Sequence, residues 1–299
     1  MRRRFTLLDV FTDRPFAGNP LAVLPDARGL SDAQMRAVAR EFNFSETSFV
    51  LSPETAAAAR RVRIFTPEGE IPFAGHPTIG TAAALVADGY VAMGERALKL
   101  VFELGAGPTP VTVVAEEGRY ACTFTAPRRP ALGATTPPER VAAALGLELA
   151  AIDTAAHAPV DVGCGLDFVA VRLSDLDALA ASGPRLDAWA ELDSPAAAHG
   201  VVAYVVEADG HLRVRLFAPG VGVAEDPATG SAAAALGGLL ADLAPAGDGT
   251  MAWTIAQGVE MGRPSKLEVA ADKRGGAVTA VRVGGEAVVV ADGTITIPD

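Results

Sequence analysis

Two cysteines in 299 residues, Cys122 and Cys164, are too few for a disulfide framework or a cysteine-built metal cluster. Four histidines, none at metal-ligand spacing, argue against a protein-bound metal of any common type. Basic charge is short as well. The 25 Lys and Arg against 36 Asp and Glu leave a formal net charge of −11. Nucleic acid and anionic membrane surfaces, which both need a basic footprint, are therefore not expected partners. No uncharged apolar run reaches the roughly 18 residues of a membrane span; one candidate, Thr78–Ala87, stops at Asp88. The start, MRRRFTLLDVF, is basic, yet no signal-type apolar core develops before Asp9, so a cytoplasmic chain is expected. What the chain has in quantity is core. Half of its residues are hydrophobic and 20% are charged, at a length that suggests roughly two domains of about 150 residues.

Two passages a domain's length apart echo each other: RIFTPEGEIPFAGHPTIGTAAAL (Arg63–Leu85) and RLFAPGVGVAEDPATGSAAAAL (Arg215–Leu236). Each opens on an R-x-F-x-P strand, passes a Gly/Pro loop and enters an Ala-rich helix. Aligned on GTAAAL and GSAAAAL, the echo sets His76 opposite Asp226 and Thr81 opposite Ser231. Each repeat then carries an ionisable side chain just before a helix start. The helices themselves, Thr78–Ala87 and Thr229–Leu240, are apolar all round. Such a helix is buried on every side, and its alanines let strands approach closely. The expectation is an α+β or α/β protein of two pseudo-symmetric domains, each a sheet wrapped around one central apolar helix. The boundaries are 1–127 plus 284–299 for the first domain and 128–283 for the second.

Around those helices, alternation and turn residues predict strands at Phe5–Phe11, Leu21–Leu24, Thr47–Leu51, Val62–Thr66, Lys99–Glu103, Val111–Ala115 and Tyr120–Thr125. Ser31-x-x-Gln34 is a capping box ahead of a helix with Met35, Val38, Ala39 and Phe42 on one face. The proline-bearing stretch Ala126–Pro138 reads as a linker. Thr136-x-x-Glu139 reads as a second capping box, with Pro137 at the first helical position and Gly146 ending the helix. Further strands are expected at Asp167–Leu173, Val201–Val206, His211–Phe217, Met251–Gln257, Leu267–Ala270, Val278–Val283, Ala287–Val290 and Thr294–Ile297.

The start of a buried helix leaves amide N–H groups without intrahelical partners, and the helix dipole favours an anion there. Gly75 and Gly230 let a ligand approach the backbone, and Ser231 adds a hydroxyl. Ordinary capping explains one such loop; two matched loops point to a small carboxylate. His76, between Gly75 and Pro77, is either a structural histidine or a site group. Asp226, between Glu225 and Pro227, either caps the second helix or serves a site. Glu46 lies among Phe42, Phe44 and Phe49. At a helix-to-strand junction it is either a solvated surface group or a carboxylate whose proton affinity is raised by desolvation, fit to accept and return a proton near neutrality.

GNPLAV (Gly18–Val23), SETSFV (Ser45–Val50), the first echo segment, EDPATGSA (Glu225–Ala232) and QGVEMGRPS (Gln257–Ser265) together resemble the PhzF family of phenazine biosynthesis, in the right order over nearly the whole chain. The resemblance implies a diaminopimelate-epimerase-like fold with its active site in the cleft between two domains. It implies cofactor-free isomerisation of a small unsaturated amino or hydroxy carboxylic acid, as in the isomerisation of trans-2,3-dihydro-3-hydroxyanthranilate. It gives the acid/base role to Glu46, further site roles to His76 and Asp226, and carboxylate binding to Gly230 and Ser231. It also suggests a homodimer, and closure of the domains to exclude water. Related epimerases of this fold use one cysteine at each central helix start; here Ala74 and Ala228 stand by those starts, so a thiol-based epimerase is disfavoured. A non-catalytic carboxylate-binding protein on the same scaffold stays open.

Overall fold

The computed structural model describes residues 1–94, 97–116, 119–245 and 247–298. It divides into two compact units, Met1–Pro127 with Val283–Asp299, and Arg128–Arg282.

The first unit opens with β1 (Arg2–Val10) and β2 (Asn19–Leu24), antiparallel to one another. Helix α1 (Asp32–Phe42) follows with its capping box formed: Ser31 Oγ accepts from the Gln34 amide, and the Gln34 side chain accepts from the Ser31 amide. Met35, Val38 and Ala39 pack into a cluster with Leu24, Phe49 and Phe65, and Asn43 ends the helix in the left-handed conformation. Then come β3 (Thr47–Leu51), β4 (Arg60–Phe65), the two-residue β5 (Glu70–Ile71), helix α2 (Gly75–Ala87), β6 (Leu98–Leu104), β7 (Gly107–Glu116) and β8 (Arg119–Thr125).

The second unit contains β9 (Ala131–Thr135), α3 (Pro138–Leu145), β10 (Val160–Gly163), β11 (Asp167–Arg172), the short helices α4 (Leu176–Ala181) and α5 (Leu186–Trp189), β12 (Val201–Val206), β13 (Leu212–Ala218), β14 (Val223–Asp226), helix α6 (Gly230–Leu243), β15 (Gly249–Gln257) and β16 (Ser265–Arg274). The last strand, β17 (Ala277–Thr296), contains the boundary between the units.

The duplication is visible in the pairing. From β1 to β7 the partners run antiparallel (β1–β2), parallel (β2–β3), antiparallel (β3–β4), antiparallel through the short β5, parallel (β4–β6) and antiparallel (β6–β7). From β10 to β16 the same succession recurs: β10–β11, β11–β12, β12–β13, the short β14 on β13, β13–β15 and β15–β16. Each helix that breaks the succession, α2 or α6, is buried from its first residue through Leu85 or Leu239. Helix α2 packs on β1, β2, β7 and β8, and α6 on β10, β11, β15 and β16. Small residues make this possible. A Cβ on Gly80 would fall 2.5 Å from Leu21 Cδ2 and 2.8 Å from Val10 Cγ2, and one on Gly237 would fall 2.3 Å from Val269 Cγ1. No helix among the described residues is long and apolar enough to cross a membrane.

Four expectations need correction. The stretch expected to be a linker holds β9, an exposed strand paired antiparallel with β10. It has no buried face, so no core-facing alternation announces it; its sign is Gly133, where a Cβ would fall 2.9 Å from Asp161 Cβ on the partner strand. The second capping box does not form. Thr136 is buried with its amide donating to Pro159 O, and α3 starts at Pro138 with no side-chain cap. Gly146 does end that helix, in the left-handed region at φ 69°. The three strands expected after Val278 are one 20-residue strand. Its glycines mark close approaches instead of breaks, since a Cβ on Gly293 would strike the Phe5 ring at 2.7 Å and one on Gly284 would meet Thr123 Oγ1 at 2.7 Å. Finally, α2 begins at Gly75, ahead of the expected Thr78. Pro77 fits in the first turn, where a missing N–H breaks no helical bond.

Candidate active-site residues

In the first unit, three side chains from three elements meet. Glu46 immediately precedes β3, His76 is the second residue of α2, and Asn19 is the first of β2. His76 Nε2 stands 3.4 Å from Glu46 Oε2, with side-chain exposures of 3% and 16%. On the other edge of the ring, Asn19 Nδ2 lies 3.2 Å from His76 Nδ1, and Ser45 Oγ donates to Asn19 Oδ1 at 3.2 Å. Burial pushes the imidazole pKa down to about 3, so His76 is a neutral ring at physiological pH. The phenylalanines around Glu46 engage one another: Phe42 stacks on Phe44, their centroids 6.2 Å apart, and Phe49 meets Phe65 edge-on at 5.4 Å.

In the second unit, Asp226 ends β14 and is buried. Thr229 Oγ1 donates to its Oδ2. Gln257, the last residue of β15, clamps the same loop. Its Nε2 donates to Asp226 O at 2.8 Å and to Thr229 Oγ1 at 3.0 Å, while its Oε1 accepts the Thr229 amide at 3.1 Å. Ser265 Oγ donates to Pro227 O at 2.8 Å. Gly258, at φ +72°, has no room for a Cβ, which would fall 2.5 Å from Pro227 O. Beyond this tied-down loop, Gly230 and Ser231 open α6, both buried, and Thr229 provides no side-chain cap. Ala74 provides none at the start of α2 either. Both helix starts therefore keep amide donors that no capping side chain takes up.

The R-x-F-x-P echo has its own physical content. Arg63 lies over the Phe65 ring at 5.1 Å and forks onto Glu70 of β5 at 2.8 and 2.5 Å. Arg215 lies over Phe217 at 4.8 Å and forks onto Glu225 of β14, both bonds 2.8 Å. The helix starts correct the pairing of His76 with Asp226. Gly75 and Gly230 are the equivalent first residues, so His76 matches Ser231, while Asp226 lies upstream in a strand and Thr81 lies inside α2. The repeated GTAAAL and GSAAAAL strings misled the alignment because the first follows a full turn of helix that the second lacks.

Sequence reasoning singled out Glu46, His76, Gly75, Asp226, Gly230 and Ser231, and missed Asn19 and Gln257. Asn19 read as a turn residue of the GNP segment. Gln257 heads the QGVEMGRPS segment, whose position in the chain gives no sign of the loop that it ties. Cys122 and Cys164 are both buried. Burial lifts the Cys164 thiol to about 12 and the Cys122 thiol higher still.

A family model described as phenazine biosynthesis-like protein, PhzC-PhzF, matches residues 8–293. The trans-2,3-dihydro-3-hydroxyanthranilate isomerase of Pseudomonas aeruginosa is 39% identical over 293 residues, 97% of this chain and 98% of that protein. The crystal structure of a PhzF-family phenazine biosynthesis protein from Bacillus anthracis matches with a TM-score of 0.87 at 26% identity, covering 99% of this chain and all of that one. A hydroxyproline epimerase from Agrobacterium vitis shares the fold, with a TM-score of 0.66 at 13% identity over 98% of this chain and 92% of that one.

Proposed function

We propose, for a chain that belongs to the phenazine biosynthesis-like PhzC-PhzF family and is an isomerase, a one-base proton shift on a small unsaturated carboxylic acid. The substrate is trans-2,3-dihydro-3-hydroxyanthranilate, on which the Pseudomonas aeruginosa relative acts by name, or an acid of that amino or hydroxy class. Glu46 as carboxylate takes a proton from an activated carbon and returns it to another carbon of the conjugated system on the same face. His76 and Asp226 orient polar groups of the substrate. The amides at the starts of α2 and α6, at Gly75 and at Gly230–Ser231, bind the carboxylate together with the Ser231 hydroxyl.

The observation that carries this reading is the 3.4 Å approach of Glu46 Oε2 to a buried, neutral His76. His76 thus sets a polar, uncharged ring beside the carboxylate. A thiol mechanism has no such support, since Cys122 lies in β8 and Cys164 follows β10, and neither is a residue of the α2 or α6 start. Glu46→Gln keeps the shape and removes the base. Turnover of the dihydro-hydroxyanthranilate is expected to fall by at least about 10²-fold, the lower end for a general base. Activity within about tenfold of wild type would overturn the assignment, as would full exchange of the migrating proton with solvent deuterium in every turnover.

A further inference from the structure

We propose that Asn19 is a positioning residue that holds His76 in its Nε2–H tautomer, so that a donor and not a lone pair faces the Glu46 carboxylate. The inference rests on the proposed role of Glu46 and adds to it a residue from outside both echo segments.

Asn19 is fully buried and His76 is 2% exposed. A neutral imidazole has one N–H and one lone pair, and the hydrogen bond at one nitrogen decides the state of the other. Ser45 Oγ donates to Asn19 Oδ1, which turns the amide N–H₂ to His76 Nδ1 at 3.2 Å. Nδ1 is then the acceptor, and the ring proton sits on Nε2. The far side of the ring agrees. Nε2 makes no hydrogen bond among the described residues and stands 3.4 Å from Oε2 of Glu46. The other tautomer would press a nitrogen lone pair against a carboxylate oxygen in a buried setting, which is repulsive. With the proton on Nε2, the ring offers a donor that can shorten onto Glu46 or a substrate oxygen when substrate arrives; such bonds are often long in free enzymes.

The backbone holds Asn19 with little freedom. Gly18 has φ +63°, and a Cβ there would fall 2.3 Å from Val10 O. The Phe16 amide donates to the buried Asp9 carboxylate at 2.6 Å. The turn before Asn19 is thus tied to β1 on both sides of Ala17.

Long-range ¹⁵N–¹H correlation spectra of the uniformly labelled full chain report the tautomer directly. The chain has four histidines, and His76→Gln identifies the signals to follow. The wild type is expected to show Nε2–H with an unprotonated Nδ1. Asn19→Asp replaces a donor by an acceptor and is expected to move the proton to Nδ1 or to charge the ring. A histidine held in the wrong tautomer costs up to about 10⁴ in kcat in the serine-protease precedent, so kcat for the dihydro-hydroxyanthranilate should drop by 10² or more. KM should stay within about threefold, since Asn19 is placed against His76 and not against the substrate carboxylate. Asn19→Ser, whose hydroxyl can still donate to Nδ1, is expected to keep Nε2–H and to recover part of the rate. The proposal is overturned if the wild-type ring carries its proton on Nδ1, or if Asn19→Asp keeps both the Nε2–H signal and the wild-type rate. Should Asn19→Asp fail to fold, the wild-type spectrum and Asn19→Ser decide. Should the chain turn over no such acid at all, the activity reading fails while the tautomer assignment is still tested by the spectra.

Discussion

Replacing Arg215 by leucine should cost far more stability than the same change at Arg63, although both residues open the same repeated motif. The Arg215 side chain is 10% exposed and its partner Glu225 17%. Beyond that pair, Arg215 Nη1 donates to the carbonyls of Leu179, Ala180 and Ser182 at the end of α4, at 3.0, 3.0 and 2.6 Å. Removing the guanidinium strands a mostly buried carboxylate and orphans a helix end. Breaking a buried pair from one side costs about 3–5 kcal/mol; some water reaches Glu225, so the lower half of that range applies. Arg63 pairs instead with Glu70 at 41% exposure and Asp32 at 74%. Water can replace it there, and its loss should cost on the order of 1 kcal/mol, including its contact with Phe65. The measurement is urea unfolding of both variants followed by far-UV circular dichroism, with free energies extrapolated at equal m-value. Arg215→Leu is expected to be at least about 2 kcal/mol the more damaging. Replacing Glu225 by leucine in the same chain should recover much of the loss, because two apolar groups strand no charge. Equal losses at the two arginines, or no recovery in the double variant, would refute the reasoning.

The remaining predictions concern the site loop, the histidine and the thiols. Gln257→Leu removes three hydrogen bonds from the Asp226–Thr229 loop, including the partner of a backbone amide; it should cost about 2 kcal/mol in the same urea assay and raise KM for the carboxylate substrate, and an unchanged KM would free the loop from substrate binding. Because the folded-state pKa of His76 is depressed to about 3 from 6.5, the unfolded chain binds a proton that the native ring refuses. Its contribution is fully present above pH 6.5 and is lost as pH falls towards 3, by up to about 1.4 kcal/mol per pH unit; His76→Gln should flatten the stability profile over that window, and an equally steep profile would count against a buried neutral ring. Cys122 and Cys164, both buried with raised thiol pKa values, should resist iodoacetamide in the native protein and react on unfolding, as followed by intact mass.

Much of the fold was legible because its signals are local. The capping box at Ser31, the left-handed stop at Gly146 and the two all-apolar helices depend on neighbours a few residues apart, and they form close to where the pattern puts them. What escaped was set by partners distant in the chain. β9 is exposed and becomes a strand because β10 pairs with it. The glycines of β17 read as breaks until Phe5 and Thr123 are seen to occupy the space. Among the candidate site residues, Glu46 and His76 stood out by type and setting, and their side chains do meet. Asn19 and Gln257 were not, because an amide tying one loop to another leaves no periodicity to read.

Two contacts between helix α2 and β2 fix their register: Gly80 receives Leu21, and His76 receives Asn19. Four residues of α-helix advance about 6 Å, and two residues of strand about 6.6 Å. The two rulers nearly agree over this span, so both contacts can be made at once without bending either element. They act as the teeth of a rack. A one-residue insertion or deletion between His76 and Gly80 would rotate one contact about 100° off the strand while the other stayed engaged. Length changes inside the first turns of α2 should therefore be excluded in functional variants even where every side chain is kept.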